Sequence, residues 1–195
     1  MRDCYKKFWK AVLSAKFCEA MPQFKLKETP SRKAADDAKP SAKPVTFAWN
    51  PIDKLTFKLI FSARHDHFWA YCEWSETARA KATGGSGPRF ADDAWDRAYG
   101  IEHLQTLSGQ IDQRDTLVQS WDFWRPALDI GSTRESHHAY MDALRVEEMR
   151  HIGDAEAMQR VEVTVDQVIA DVKRCAMPWF EKKLLWYMQN RASAS

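Results

Sequence analysis

Residues 62–74, SARHDHFWAYCEW, set two of the six histidines on either side of an aspartate. On a strand, residues two apart share a face, so His65 and His67 could offer two imidazoles to one metal ion. A third ligand would come from His103, His137, His138, His151, Asp142, Glu147 or Glu148, and a metal-dependent hydrolase would follow. The flanking runs argue against that geometry. Residues 57–61 must turn back into residues 68–74 across this triplet, and Asp66 suits a turn through bonds to nearby backbone donors. A hairpin end is therefore expected at His65-Asp66-His67, and neither a metal nor another cofactor is assigned.

Other constellations are less specific. Glu148-Met149-Arg150-His151 is one E-x-x-H sequence, whereas a di-metal carboxylate bundle needs two of them and two further glutamates. Helical ion pairs among Glu147, Glu148, Arg150 and His151 account for it. Residues 81–88, KATGGSGP, lack the Lys-Ser or Lys-Thr that completes a phosphate-cradling loop, and the chain has no G-x-S-x-G elbow. Cys72, on an apolar strand face, reads as a buried inert thiol. No catalytic residue is assigned, and the balance leans away from an enzyme.

What stands out is aromatic content: nine tryptophans in 195 residues. Most must fill the core. In residues 68–74, Phe68, Ala70, Cys72 and Trp74 share one face, which leaves Trp69, Tyr71 and Glu73 on the other. Residues 121–126, WDFWRP, add Trp121, Trp124 and Arg125. Trp, Tyr and Arg are the types enriched at the energetic centres of protein interfaces. These six residues, Trp69, Tyr71, Glu73, Trp121, Trp124 and Arg125, are the candidate protein-binding surface.

Those side chains need a scaffold. The chain is long enough for one sizeable core, and a single domain over 1–195 is expected. No apolar run approaches the roughly 18 residues of a membrane helix, and no secretory signal is visible. Four scattered cysteines without a C-x-x-C pair favour a reducing, cytoplasmic setting. Residues 1–44 carry eleven Lys and Arg against five Asp and Glu, +6 against −4 for the remainder. Such a basic arm could bind nucleic acid by long-range attraction, although a solvated Lys-rich segment is the commoner case.

Tyr5, Phe8, Trp9, Val12, Leu13, Phe17 and Ala20 recur at helical spacing, predicting an amphipathic helix that stops before Pro22. Residues 27–44 read as a mobile, charged loop, and 81–88 as a Gly-rich one. Between them the period changes to two. Runs around Phe47 and Trp49, at 57–61 and at 68–74 predict three antiparallel strands, the first pair joined by a turn at residues 50–53, NPID. Further helices are expected from Asp92 or Asp93 through Leu107, from the capping pattern at residues 132–135, and from Thr164, with Pro178 breaking or restarting the last.

The fold class expected is thus α+β: a small antiparallel sheet flanked by an N-terminal helix and several C-terminal helices. In this order, and in its Pro178-Trp179-Phe180-Glu181 ending, the chain resembles a loose bacterial group of small α+β domains, some taken to be toxin-immunity proteins. The resemblance spans most of the chain but carries no diagnostic motif, so no functional residue is transferred. It implies a bacterial, cytoplasmic, non-enzymatic protein that occludes a partner protein such as a toxin or enzyme.

Overall fold

The computed structural model describes residues 1–27, 42–53, 55–64, 66–76, 99–103, 121–124 and 133–192. The Gly-rich segment 81–88 and most of the loop expected at 27–44 lie outside these residues.

Helix α1 (Asp3–Ala20) buries Tyr5, Trp9, Leu13 and Phe17, a row at four-residue spacing. Its end is closed by the Met21 N–H, which donates to the Phe17 carbonyl at 2.9 Å just ahead of Pro22. The sheet is antiparallel and larger than the three strands expected. Four strands of five residues or more, β2 (Ala42–Ile52), β3 (Leu55–Arg64), β4 (His67–Glu76) and β5 (Tyr99–His103), are joined by two short ones, β1 (Lys25–Lys27) and β6 (Trp121–Asp122). The order is β1-β2-β3-β4-β5, with β6 sharing the far edge of β4: β5 pairs with Tyr71 to Ser75, β6 with His67 and Phe68.

The period-two pattern is realised in the register. Phe57 lies opposite Trp74, Leu59 opposite Cys72 and Phe61 opposite Ala70, all buried on the inner face. Phe17 of α1 stacks on Phe47 at 4.2 Å between ring centroids and meets Phe61 edge-on. Two expectations move by a few residues. Lys27 closes β1, and β2 already begins at Ala42. The β2–β3 turn falls after Ile52, not across residues 50–53; Pro51 has no N–H to give the ladder, and the register shifts between Trp49 and Ile52.

The helix expected to reach Leu107 is overturned at residues 99–103, which form β5. Gly100 weakens a helix there, and the free edge of β4 offers an unpaired row of backbone donors and acceptors. Helix α2 (Arg134–Met149) starts one residue later than its capping pattern suggested: Thr133 is the cap and its hydroxyl accepts from the Ser136 N–H at 3.2 Å. Helix α3 (Asp154–Asp171) begins ten residues before Thr164. That threonine is buried within the helix and donates to the Arg160 carbonyl, four residues back, at 2.8 Å.

Past α3 the helix does not break. A π-helical turn (Val172–Ala176) runs into α4 (Met177–Ala192), so the missing N–H of Pro178 falls beside a turn that is already irregular. Helix α3 buries Val161, Val165 and Val168 and packs along α1. Helix α4 sets Phe180 on Phe57 at 4.8 Å and Trp186 edge-on to Trp74 at 6.0 Å. The buried Lys183 ammonium lies 5.4 Å from the Trp179 ring and 5.9 Å from that of Trp74. The four cysteines are free thiols, with Cys72 and Cys175 buried. No helix among the described residues is long and apolar enough to cross a membrane.

The α+β class is what the chain adopts, and Phe17 joins its helical and sheet layers. Phe17→Ala should cost about 3–5 kcal/mol in urea denaturation, the range for emptying a large aromatic site, whereas Glu19→Ala on the exposed side of α1 should change stability by no more than about 0.5 kcal/mol.

Candidate functional site

The β3–β4 turn, the start of α1, the end of α2 and the start of α3 converge on one charged cluster. At its centre is Arg2. Its backbone N–H donates to Asp66 Oδ1 at 2.7 Å and its Nε to Asp66 Oδ2 at 2.5 Å, while Nη1 donates to the Glu147 carbonyl at 2.8 Å. The last contact sets a cation at the C-terminal end of α2, whose final turn has no basic residue of its own. Asp66 does occupy the hairpin turn, as expected, but its carboxylate bonds across the fold to Arg2.

Glu147 is the only buried residue of α2. Its carboxylate accepts from Arg150 Nε at 2.9 Å and from Arg160 Nη1 at 2.6 Å. Both arginines also donate to Glu156, and Arg160 reaches the hydroxyl of the fully buried Tyr5 at 3.0 Å. Burial by itself would raise the pKa of Glu147. The hydrogen bonds and charges of Arg150 and Arg160 outweigh it, and the carboxyl is held below its ordinary value. Burial pushes the Tyr5 hydroxyl up, against the opposing effect of Arg160. Among the described residues no buried side-chain nitrogen or oxygen lacks a partner.

Beside the cluster is a cleft of about 500 Å³ between α2 and the β3–β4 turn. Arg2, Asp66, His67, Asp122 and Trp124 line one part of it; Tyr140, Leu144, Glu147 and Glu148 of α2 line another. A second hollow of about 430 Å³ lies between β6 and α3, with Phe123, Arg160 and Val163 in its walls.

The predicted surface residues do not all share one place. Trp69 and Tyr71 are half-buried on the outer face of β4, where the Trp69 indole N–H donates to the Tyr71 hydroxyl at 2.7 Å. Glu73 is on the same face but buried, paired with Lys58 directly opposite on β3. Trp121 is only 4% exposed; its indole N–H donates to Asp171 at 2.9 Å and ties β6 to the end of α3. That burial removes it from the accessible set, because the carboxylate of Asp171 satisfies its one polar group inside the fold. Trp124 is half-buried in the cleft wall, with the Arg160 guanidinium 5.9 Å from its ring. Arg125 lies outside the described residues.

His65 also lies outside them. His67 lies in β4, its ring 5.7 Å from that of Trp69. His137, His138 and His151 are exposed, and Asp142 pairs with Arg145. The E-x-x-H sequence does not share one helix, since α2 ends at Met149. Among the described residues no group of three or more His, Cys, Asp or Glu side chains could hold a metal ion. Glu147, expected in exposed helical pairs, is instead buried within the cluster. Arg2, Tyr5, Glu156 and Arg160 were not anticipated at a site; the four-residue spacing of Glu156 and Arg160 was the one local signal for them. Comparison with known protein families, curated proteins and solved structures finds no match.

A carboxylate with a depressed folded pKa adds stability above its unfolded value, and that contribution is lost as pH falls through the folded value. Glu147→Gln should therefore be less stable than the parent at pH 7 by about 2 kcal/mol, between a charge-assisted hydrogen bond and a fully buried pair. The difference should shrink below the ordinary carboxyl value of 4.5. Thermal melts of both proteins from pH 7 to pH 3 measure it.

Proposed function

We propose that the protein is a non-catalytic protein-binding module of the immunity or inhibitor kind, covering a partner protein with the outer face of β4 and the rim of the adjoining cleft. The bacterial, cytoplasmic setting belongs to the same proposal. One observation carries it. Tyr71, Trp69 and His67 stand in a row on one face of β4, all half-buried, and the row leads through His67 into the cleft that Trp124 also lines.

Three features support this use of the row. Stiff aromatic side chains lose little conformational freedom on binding and offer large apolar areas with a polar edge. The Trp69–Tyr71 hydrogen bond fixes the two rings relative to each other before any partner arrives, which lowers the ordering cost. The three arginines and three carboxylates of the neighbouring cluster are bonded to one another, so they serve to hold shape.

The test is a partner isolated from the native host and shown by native mass spectrometry to form a 1:1 complex. Trp69→Ala and Tyr71→Ala should each weaken that complex about thirtyfold, the size of an interface hot spot, with circular dichroism unchanged. Glu19→Ala should leave affinity intact. Undiminished affinity in both aromatic variants removes the β4 face from the interface.

A further inference from the structure

We infer that α2 is a hinged lid on the cleft of about 500 Å³, swinging out as a unit about a pivot just after Met149 while the rest of the fold stays intact. The inference concerns the protein alone, so it stands or falls independently of any partner at β4.

The attachment of α2 is thin and lies at one end. The stripe it turns toward the body is Ser136, Tyr140, Ala143, Leu144 and Glu147, and all but the last are only half-buried. Tyr140, Leu144 and Glu147 face the cleft instead of filling it. At the C-terminal end the larger apolar side chains point to solvent, Val146 at 64% and Met149 at 82% exposed. Swinging α2 away therefore uncovers little apolar surface, the usual cost of moving a helix. Glu147 carries the ties to other elements, its carboxylate to Arg160 of α3 and its carbonyl to Arg2.

The charges can be shared out again once α2 has left. Arg2 keeps Asp66, bonded through both Nε and its backbone N–H. Arg160 keeps Glu156, one turn away on α3, at 2.5 Å, and also the Tyr5 hydroxyl. Arg150 keeps Glu147, three residues before it, at 2.9 Å. Three arginines and three carboxylates thus fall into three local pairs, with no buried charge orphaned. Glu156 makes this exchange possible, because in the closed form it doubles the partners of Arg150 and Arg160. A network with two complete pairings gives the helix two positions.

The pivot is placed by burial. Arg150 and His151 are exposed and outside any helix, whereas Ile152 is buried and fixes the start of α3. Opening about Arg150 and His151 would widen the cleft beside His67 and Trp124, at the end of the β4 aromatic row.

Native-state hydrogen exchange of the full chain, followed by NMR at neutral pH in low urea, tests the lid. Amides of residues 139–149 should exchange through an opening that hardly depends on urea, while those of Val161, Val165 and Val168 in α3 should exchange only with global unfolding and depend steeply on it. Glu147→Gln should speed exchange in α2 about thirtyfold, the size of one charge-assisted hydrogen bond. Glu156→Gln has the opposite sign in α2. It removes the partner that Arg160, 15% exposed, falls back on in the open form, so α2 should exchange about fivefold more slowly even as the α3 amides exchange faster. The pair that Glu156 makes with Arg150, 40% exposed, is too well solvated to reverse this. Circular dichroism confirms that each variant is folded, and the wild-type urea slopes decide the matter without either. An α2 that exchanges together with α3 at the full urea slope would overturn the lid, as would faster α2 exchange in Glu156→Gln.

Discussion

Glu147 holds α2 to the rest of the protein. Of the sixteen residues of that helix it alone is buried, and what it buries is a charge. A carboxylate taken from water costs several kcal/mol unless hydrogen-bonded cations replace the lost solvation. Arg150 and Arg160 replace it from one side, and Arg2 closes the helix end from the other. The attachment is therefore directional. An apolar stripe would have drawn α2 down onto the body until no gap remained, since hydrophobic contact improves with every square ångström covered. An ionic post holds it at a set distance, and the cleft is the space left beside the post.

The same logic divides the aromatic residues. Trp9 and Trp74 lie in the core, and Trp121 has its indole N–H satisfied by Asp171. Trp69 satisfies its N–H with Tyr71, a partner on its own strand and on the same face. That bond runs along the strand, so the indole N–H is satisfied within β4 while the two rings stay half-buried on its outer face.

Local patterns in the sequence carried much of the sheet. Alternation at Phe57, Leu59 and Phe61, and at Ala70, Cys72 and Trp74, is set by pleat geometry and needs no knowledge of neighbours. The α1 row was legible for the equivalent reason. Strand β5 was not: residues 99–103 become a strand because β4 offers an edge, a tertiary cause that helical spacing of Ala98 and Ile101 disguises. Thr164 misled because a Ser/Thr-x-x-Gln pattern can sit inside a helix, with the hydroxyl bonded back to the preceding turn. The charged cluster was least visible. Arg2 meets Asp66 across 64 positions and Glu147 across 145, and no spacing rule links residues so far apart. The half-buried aromatic row could be foreseen from period two, whereas the cleft at its end could not.

The π-helical turn at Val172–Ala176 has a consequence for how the chain can change over time. Adding one residue to a helical turn rotates everything after it by about 100°. Upstream, Val161, Val165 and Val168 belong to the face that α3 buries beside α1; downstream, Phe180 and Trp186 meet the sheet at Phe57 and Trp74. The turn acts as a phase shifter between two packing partners within one unbroken rod. A single-residue deletion there would restore a regular helix and improve its local hydrogen bonding while swinging Phe180 away from Phe57. Length variation, ordinarily confined to loops, is at this point constrained by the core.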